Sequence, residues 1–169
     1  MHNRVTFFLS TSTLFCQPIR AQNNTFFCAI LNGKPVTFVR SSRGNLPIVR
    51  WVSNDYFPPP WTATKRCQEV ARRFQINYDN RNLIYINTGT VNGEPVVCAA
   101  ANKDDVCNSR NLLFTLKRGS DPDATLKRLM DRRGLASGYV LSETGPGSVN
   151  LERYLDGVPA EENVTPLSP

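Results

Sequence analysis

The stretch TFFCAILNGKPVTFVR, residues 25–40, contains two runs of strand-forming residues on either side of Asn32–Gly33. Asn-Gly is a preferred pair for two-residue hairpin turns because both residues adopt positive φ angles easily. In an extended chain Phe26, Cys28 and Ile30 lie on one face of the first run. The stretch therefore predicts a β-hairpin and an antiparallel sheet.

The same pattern returns later in the chain. The runs NLIYINTG, residues 82–89, and EPVVCAA, residues 94–100, flank a second turn that contains Asn92–Gly93. Two further β-rich runs, PIVRWV at 47–52 and NLLFTL at 111–116, predict one strand after each hairpin. The sequence therefore predicts six strands, in two groups of three.

A helix is predicted between the two groups of strands. Thr62 is a suitable N-cap, and Cys67, Val70, Ala71 and Phe74 recur at the spacing of one helix face. Cys67 is therefore expected to face the core.

A second helix is predicted after the sixth strand. Asp121 is its N-cap, Pro122 its first residue and Gly134 its end. The expected fold is α+β, in the order βββαβββα, with an antiparallel sheet of five to six strands and two amphipathic helices on one face.

Composition divides the chain into three parts. Residues 1–21 have a basic start, an apolar run and a polar end, which predicts a signal peptide. Residues 22–141 hold the predicted strands and helices. Residues 142–169 mix Gly, Pro and acidic residues without a sustained period, which predicts a flexible C-terminal tail.

Removal of residues 1–21 would change the chemistry that remains. His2, the only histidine, would be lost, which argues against histidine-based catalysis and histidine metal ligands. Without Arg4 and Arg20 the chain has 18 basic and 14 acidic residues, a net charge of +4. This charge suits an acidic protein or an anionic membrane surface and is too small to indicate nucleic acid.

Four cysteines remain after residue 21, namely Cys28, Cys67, Cys98 and Cys107. The loop between the last two also contains Asp104 and Asp105, so a calcium loop, a redox centre and a structural disulfide are all open. Four cysteines allow three pairings. We favour Cys28 with Cys67 and Cys98 with Cys107, because this pairing follows from the predicted strand and helix positions.

Two segments are candidate interaction sites. Lys127, Arg128, Arg132 and Arg133 lie in or beside the second helix and could contact an acidic protein or anionic lipid; the alternative is an ordinary solvated helix face.

The other segment is the loop YFPPPW, residues 56–61, which holds Tyr56, Phe57 and Trp61 beside a stiff proline run. These aromatic side chains could bind a partner or pack in the core beneath the helix.

Several short segments occur in a characteristic order, namely FFC at 26–28, WVS at 51–53, RCQEVARRF at 66–74, NGEPVVC at 92–98, Cys107 and LLFTL at 112–116. Together they resemble the COP23 family, the circadian oscillating protein of cyanobacteria. The resemblance implies an exported, membrane-associated protein of rhythmic abundance, with no established enzymatic activity.

The predicted function is that of a non-catalytic, disulfide-stabilised exported domain with no cofactor and no metal. We expect it in the periplasm, the thylakoid lumen or outside the cell, peripheral to a membrane or membrane complex. Its partner is an unidentified protein or an anionic membrane surface, and not nucleic acid. The alternatives are a secreted thiol or redox protein and an inhibitor-like, protein-binding module.

Overall fold

The computed structural model describes residues 23–52, 57–140 and 147–168. The predicted signal peptide, residues 1–21, lies outside the described residues, as does Tyr56. The strands are β1 (Thr25–Leu31), β2 (Lys34–Ser41), β3 (Gly44–Arg50), β4 (Tyr85–Val91), β5 (Glu94–Ala100), β6 (Leu112–Thr115), β7 (Tyr139–Val140), β8 (Ser148–Asn150) and β9 (Thr165–Pro166). The helices are α1 (Ala63–Asp79), α2 (Pro122–Leu129), α3 (Arg132–Gly138) and α4 (Leu151–Gly157).

The α+β class and the order βββαβββα of the elements from β1 to α2 are confirmed. The six predicted strands lie in two antiparallel sheets rather than one. Within the described residues, one sheet has the order β3-β2-β1-β9 and the other the order β6-β5-β4-β8-β7. Helix α1 packs against β1, β2 and β6, and α2 packs against β3, β4 and β5, so each helix contacts both sheets.

Both predicted hairpins are confirmed, and the Asn-Gly pairs form their turns. Asn32 and Gly33 have φ angles of 50° and 73°, and Asn92 and Gly93 have φ angles of 51° and 78°. These positive values are those that the two central residues of a type I′ turn require. The turns fix the register of β1 with β2 and of β4 with β5.

Helix α1 begins where the sequence predicts. The Thr62 side chain accepts a hydrogen bond from the Lys65 backbone N–H at 3.2 Å. The predicted apolar face is buried: Cys67 and Phe74 are fully enclosed, and the Phe74 ring stacks on Phe26 of β1 with centroids 5.5 Å apart. The first hairpin and α1 therefore share one core.

The second predicted helix is divided into α2 and α3. Asp121 caps α2 as expected, but Asp131 caps a new helix by accepting a hydrogen bond from the Arg133 N–H at 2.8 Å. Gly134 does not end a helix. It lies inside α3, where it leaves room for the Tyr154 ring of α4.

The C-terminal region differs most from the expectation of a flexible tail over 142–169. Residues 142–146 and 169 lie outside the described residues, but 147–168 contain β8, α4 and β9. Strand β8 pairs with β4, and β9 pairs with β1. Leu151, Tyr154 and Leu155 are buried in the main core, so this region belongs to the domain and extends it beyond the predicted boundary at 141.

Candidate functional site: an arginine and aromatic pocket beside the first helix

Two disulfides crosslink the elements that surround the candidate sites. Cys28 of β1 is bonded to Cys67 of α1, with Cα atoms 5.6 Å apart. Cys98 of β5 is bonded to Cys107 in the loop before β6, with Cα atoms 5.5 Å apart. The favoured pairing is therefore confirmed, and the stretch from 98 to 107 is a disulfide-closed loop.

Side-chain hydrogen bonds to the backbone hold this loop in its conformation. The Asp105 carboxylate accepts hydrogen bonds from the backbone N–H groups of Ala101 and Asn102 at 3.1 and 2.8 Å. The buried Asn87 side chain donates to the Lys103 and Asp105 carbonyls at 3.1 and 2.8 Å. This bonding gives Asp105 a structural function, whereas Asp104 is exposed and pairs with Lys103 at 3.4 Å.

The proline-rich loop folds back onto the start of α1. The backbone N–H groups of Trp61 and Thr62 donate to the carbonyls of Pro58 and Pro60, at 3.1 and 2.8 Å. Phe57 is half-buried, whereas 42% of Trp61 is exposed. The loop therefore supplies one packed ring and one ring that solvent can reach.

Arg66 of α1 lies between two aromatic rings. Its guanidinium carbon is 4.7 Å from the centroid of Trp51 and 4.5 Å from that of Phe57. Two contacts fix the position of Trp51. Its indole N–H donates to the Thr37 hydroxyl at 3.0 Å, and its ring makes an edge-to-face contact with the ring of Phe114. Burial lowers the pKa of the Arg66 guanidinium from its usual range, although arginine remains charged at neutral pH.

A cluster of charged side chains follows on the same helix. Glu69 accepts two hydrogen bonds from Arg72, at 3.0 and 2.8 Å, and one from Arg73 at 2.8 Å. The hydrogen bonding from Arg72, with a further contribution from Arg73, lowers the pKa of the Glu69 carboxyl to about 2 despite its partial burial. Arg73 also donates to the Leu113 carbonyl of β6 at 3.3 Å.

These groups surround a pocket of about 260 Å³ between α1 and β6. We call it the α1–β6 pocket. Aromatic and aliphatic side chains form most of it, and two guanidinium groups and one carboxylate complete it. Its lining residues are Phe57, Trp61, Arg66, Glu69, Val70, Arg73, Leu113, Phe114 and Thr115.

The structure thus brings two of the predicted interaction residues, Phe57 and Trp61, into one pocket. The contributions of Arg66, Glu69 and Arg73 were not predicted. Their spacing of three, four and seven residues places them on one stripe of α1, and this stripe was the available signal. The contribution of β6 depends on tertiary packing and has no local signal.

The predicted basic residues lie around a second depression, of about 740 Å³, at the junction of α2 and α3. We call it the α2–α3 groove. It is lined by Lys127, Arg128, Met130, Arg132, Leu135, Ala136 and Tyr139.

Opposite charges accompany some of the basic residues of the groove. Lys127 pairs with Asp123 at 2.9 Å, and its ammonium lies 4.0 Å from the centroid of the Tyr139 ring. The Tyr139 hydroxyl and the Asp123 carboxylate raise the pKa of Lys127.

The other three predicted basic residues differ from one another. Arg133 lies 3.9 Å from Asp131 and does not line the groove. Within the described part of the chain, neither Arg128 nor Arg132 takes part in an ion pair. These two side chains therefore carry most of the net positive charge of the groove.

Comparison with known proteins identifies the family. A family model described as circadian oscillating protein COP23 matches residues 25–156. The match includes both hairpins, both disulfides and helix α4. The chain matches no curated protein and no solved structure. Because the family match covers most of the sequence, the chain belongs to the COP23 family.

Proposed function

We propose that this chain is an exported, non-catalytic domain that rests on an anionic membrane surface through the α2–α3 groove. The observation that carries the proposal is the composition of that groove. Arg128 and Arg132 lie beside the apolar side chains of Met130 and Leu135. Cations over an apolar floor match a lipid interface, which presents anionic headgroups above acyl chains.

Export is supported by the disulfides. Disulfides of this structural kind form and persist in oxidising compartments such as the periplasm or the extracellular space. Cys28, Cys67 and Cys98 are buried, so attack by an external thiolate is hindered. This burial favours a structural function of the cysteines over a redox function. Among the described residues, no helix is long and apolar enough to cross a bilayer.

The proposal of a non-catalytic protein rests on the absence of histidine beyond His2 and on the use of the cysteines in crosslinks. A thiol assay distinguishes it from the redox alternative. The folded, native protein should have no thiol that reacts with Ellman's reagent after residues 1–21 are removed. A reactive thiol pair that cycles with thioredoxin would support the redox alternative instead.

Membrane contact can be tested by vesicle flotation. The wild-type protein should float with vesicles that contain phosphatidylglycerol and remain unbound with pure phosphatidylcholine. Basic residues near an anionic surface contribute about 1 kcal/mol each, so Arg128→Glu with Arg132→Glu should weaken binding by at least about thirtyfold. Binding should also decrease between 50 and 500 mM salt, because salt screens exposed charges.

A matched control variant distinguishes a specific effect of the groove from a general effect of net charge. Lys34→Glu with Arg110→Glu makes the same change in net charge at two exposed positions outside the groove. This variant should retain most of the binding. Equal losses in the two double variants, or binding that does not respond to salt, would contradict a specific contribution of the groove.

Family membership supports one further expectation, which is that the abundance of the protein follows a circadian rhythm. Immunoblots of cells sampled over two days in constant light would show an oscillation with a period near one day. A constant level of the protein would contradict this expectation.

A further inference from the structure

We propose that two copies of this chain exchange the segment 159–168, so that the segment of each copy occupies β1 of the other. In the structure of the single chain the segment lies on its own β1. It follows helix α4 and lies beyond residues 25–156, which match the family model. The lipid contact proposed above uses a different surface, so this inference does not depend on it.

The segment is bound through its backbone, as a peptide ligand is bound at the edge of a sheet. At one end the Glu161 N–H donates to the Asn45 carbonyl of β3 at 2.8 Å. At the other end β9 pairs antiparallel with β1, and the Leu167 N–H donates to the Cys28 carbonyl at 2.9 Å. This is the arrangement of β-strand addition, in which backbone hydrogen bonds provide affinity for an extended segment.

Two aliphatic side chains anchor the segment. Val164 packs against a small apolar cluster, which we call the β1–β2 cluster, and Leu167 packs against the main core. An extended backbone directs these two side chains to opposite faces, because their positions differ by an odd number. The members of the β1–β2 cluster are Ala29, Leu31, Val36 and Phe38.

The attachment of the segment is small. Strand β9 pairs with β1 over two residues, whereas β2 pairs with β1 over seven. Val164 and Leu167 are only partly buried, and the side chains at 162, 163, 165 and 166 are exposed. Segments with few buried apolar contacts open at a lower free energy than the strands and helices of the core. We therefore expect the segment to leave β1 without unfolding of the domain.

Strand β1 stays in place when the segment leaves, because β2 and the Cys28–Cys67 disulfide hold it. The Gln75 side chain covers an adjacent part of the same edge. It accepts a hydrogen bond from the Phe26 N–H at 2.8 Å and donates to the Asn24 carbonyl at 3.4 Å. Departure of the segment leaves the Cys28 carbonyl without its partner, and unpaired backbone groups at a sheet edge favour the addition of another strand.

A second copy supplies the strand that fits this edge. The residues of the two copies are identical, so exchange reproduces between chains each contact that the segment makes within one chain. Only the connection through Val158 and Pro159 changes. Reciprocal exchange leaves neither β1 uncovered and gives a closed dimer with two-fold symmetry, which is the usual result of domain swapping.

The probe for the site on β1 is a labelled peptide with the sequence of the segment, PAEENVTPLS, blocked at both ends. Fluorescence anisotropy measures its binding to the oxidised protein. In wild type the chain's own segment competes with the peptide, whereas Leu167→Ser removes one anchor of that segment. We expect the Leu167→Ser protein to bind the peptide at least about tenfold more tightly than wild type, because the apparent affinity is proportional to the fraction of chains with an open site.

Controls connect the binding to the two anchors. Asn163→Ser changes an exposed residue of the same segment, and this protein should bind the peptide as wild type does. A peptide that carries Leu167→Ser should bind at least about tenfold more weakly to each protein. If the Leu167→Ser protein fails to fold, Val164→Ser loosens the other anchor and should have the same effect. Equal binding of the two peptides, or equal binding of the peptide by wild type and the anchor variants, would overturn the proposal.

Exchange between whole chains is tested by the oligomeric state. Size-exclusion chromatography with light scattering should show a dimer that increases between about 10 µM and about 1 mM protein. In a mixture of ¹³C-labelled and unlabelled chains, NOEs from Val164 to the β1–β2 cluster should connect different chains of the dimer. A chain that remains monomeric over this range would overturn the proposal, as would a dimer in which these NOEs stay within one chain.

Discussion

Tyr154 of α4 joins the C-terminal region to the rest of the core, and its hydroxyl can be removed with little change in shape. The side chain is fully buried. Its oxygen accepts a hydrogen bond from the Asp131 N–H at 3.0 Å and lies 3.1 Å from the Pro47 carbonyl, to which it can donate. Tyr154→Phe therefore leaves a backbone donor and a backbone acceptor without this partner.

The size of the effect follows from these two bonds. A typical buried hydrogen bond contributes about 1 kcal/mol, and a donor or acceptor left unsatisfied costs about 1–3 kcal/mol. We expect Tyr154→Phe to lower the free energy of unfolding by about 2–3 kcal/mol. For a protein of this size that corresponds to a fall in Tm of roughly 5–10 °C.

Urea denaturation of the oxidised protein, followed by circular dichroism, measures this change. Tyr85→Phe is a suitable control because Tyr85 is only partly buried, and substitutions at such positions usually change stability by less than about 0.5 kcal/mol. Equal effects of the two substitutions would refute the assignment of Tyr154 as a link between α4, β3 and the start of α3.

The same hydroxyl predicts a pH dependence. Burial, the largest cause, raises the pKa of Tyr154 above the usual value for tyrosine. Its contribution to stability is therefore fully present below about pH 10, where tyrosine in the unfolded chain ionises, and is lost as the pH rises further. The difference in stability between wild type and Tyr154→Phe should decrease above pH 10. A constant difference up to pH 11.5 would contradict this linkage.

Three further predictions concern the charge cluster, the disulfides and one glycine. The pKa of Glu69 is lowered to about 2, so its contribution to stability is present above about pH 4.3 and is lost as the pH falls towards 2. The difference in the free energy of unfolding between wild type and Glu69→Gln should therefore shrink between about pH 4.3 and pH 2, as measured by urea denaturation at each pH. Replacement of both cysteines of a disulfide by serine should lower the free energy of unfolding by about 2.5–3 kcal/mol for Cys98–Cys107 and by about 4 kcal/mol for Cys28–Cys67, because the second pair closes the longer loop. A lower urea midpoint for the Cys98–Cys107 variant than for the Cys28–Cys67 variant would contradict this estimate. Gly138→Ala would bring a methyl group to 2.6 Å from the Tyr154 nitrogen, a backbone atom that cannot move aside easily. It should lower Tm more than Gly93→Ala, which strains a backbone with a φ of 78° but places its methyl group in open space.

The parts of the fold that the sequence predicts depend on short-range rules. The Asn-Gly turns, the Thr62 and Asp121 caps and the apolar stripe of α1 are each contained in a few consecutive residues. The disulfide pairing followed from these elements, because a strand and the helix that covers it bring Cys28 and Cys67 together. Local patterns were sufficient for the hairpins and the helix starts, and they were sufficient for the disulfides because four cysteines allow only three pairings.

The division into two sheets and the ordered C-terminal region depend on contacts between distant parts of the chain. Strands β8 and β9 are only three and two residues long, too short for an alternating pattern to be recognised. They are ordered because they add to β4 and β1, which are distant in sequence. For α4 a signal was present: Asn150 can cap the helix, and Leu151, Tyr154 and Leu155 have helical spacing.

For the candidate site, the sequence indicated the aromatic loop and missed the arginines of α1. The loop was noticed because prolines and aromatic residues occur together at Phe57 and Trp61. Charged residues on an amphipathic helix usually face solvent, so the positions of these arginines in the sequence gave no specific signal of a site. Only the positions of Trp51 and β6, fixed by tertiary packing, distinguish Arg66 and Arg73 from ordinary surface cations.

The proposed lipid-binding surface lies on elements that the core holds in place. The α2–α3 groove lies next to Asp131, whose backbone N–H donates to the buried Tyr154 hydroxyl. Groups on a fixed backbone lose little conformational entropy on binding, so modest contacts yield more affinity than they would on a mobile loop. Tyr154→Phe should therefore weaken lipid binding at the groove, whereas removal of the Cys28–Cys67 bond, which ties α1 to β1, should change it less. Equal effects of the two changes would show that lipid binding responds only to overall stability.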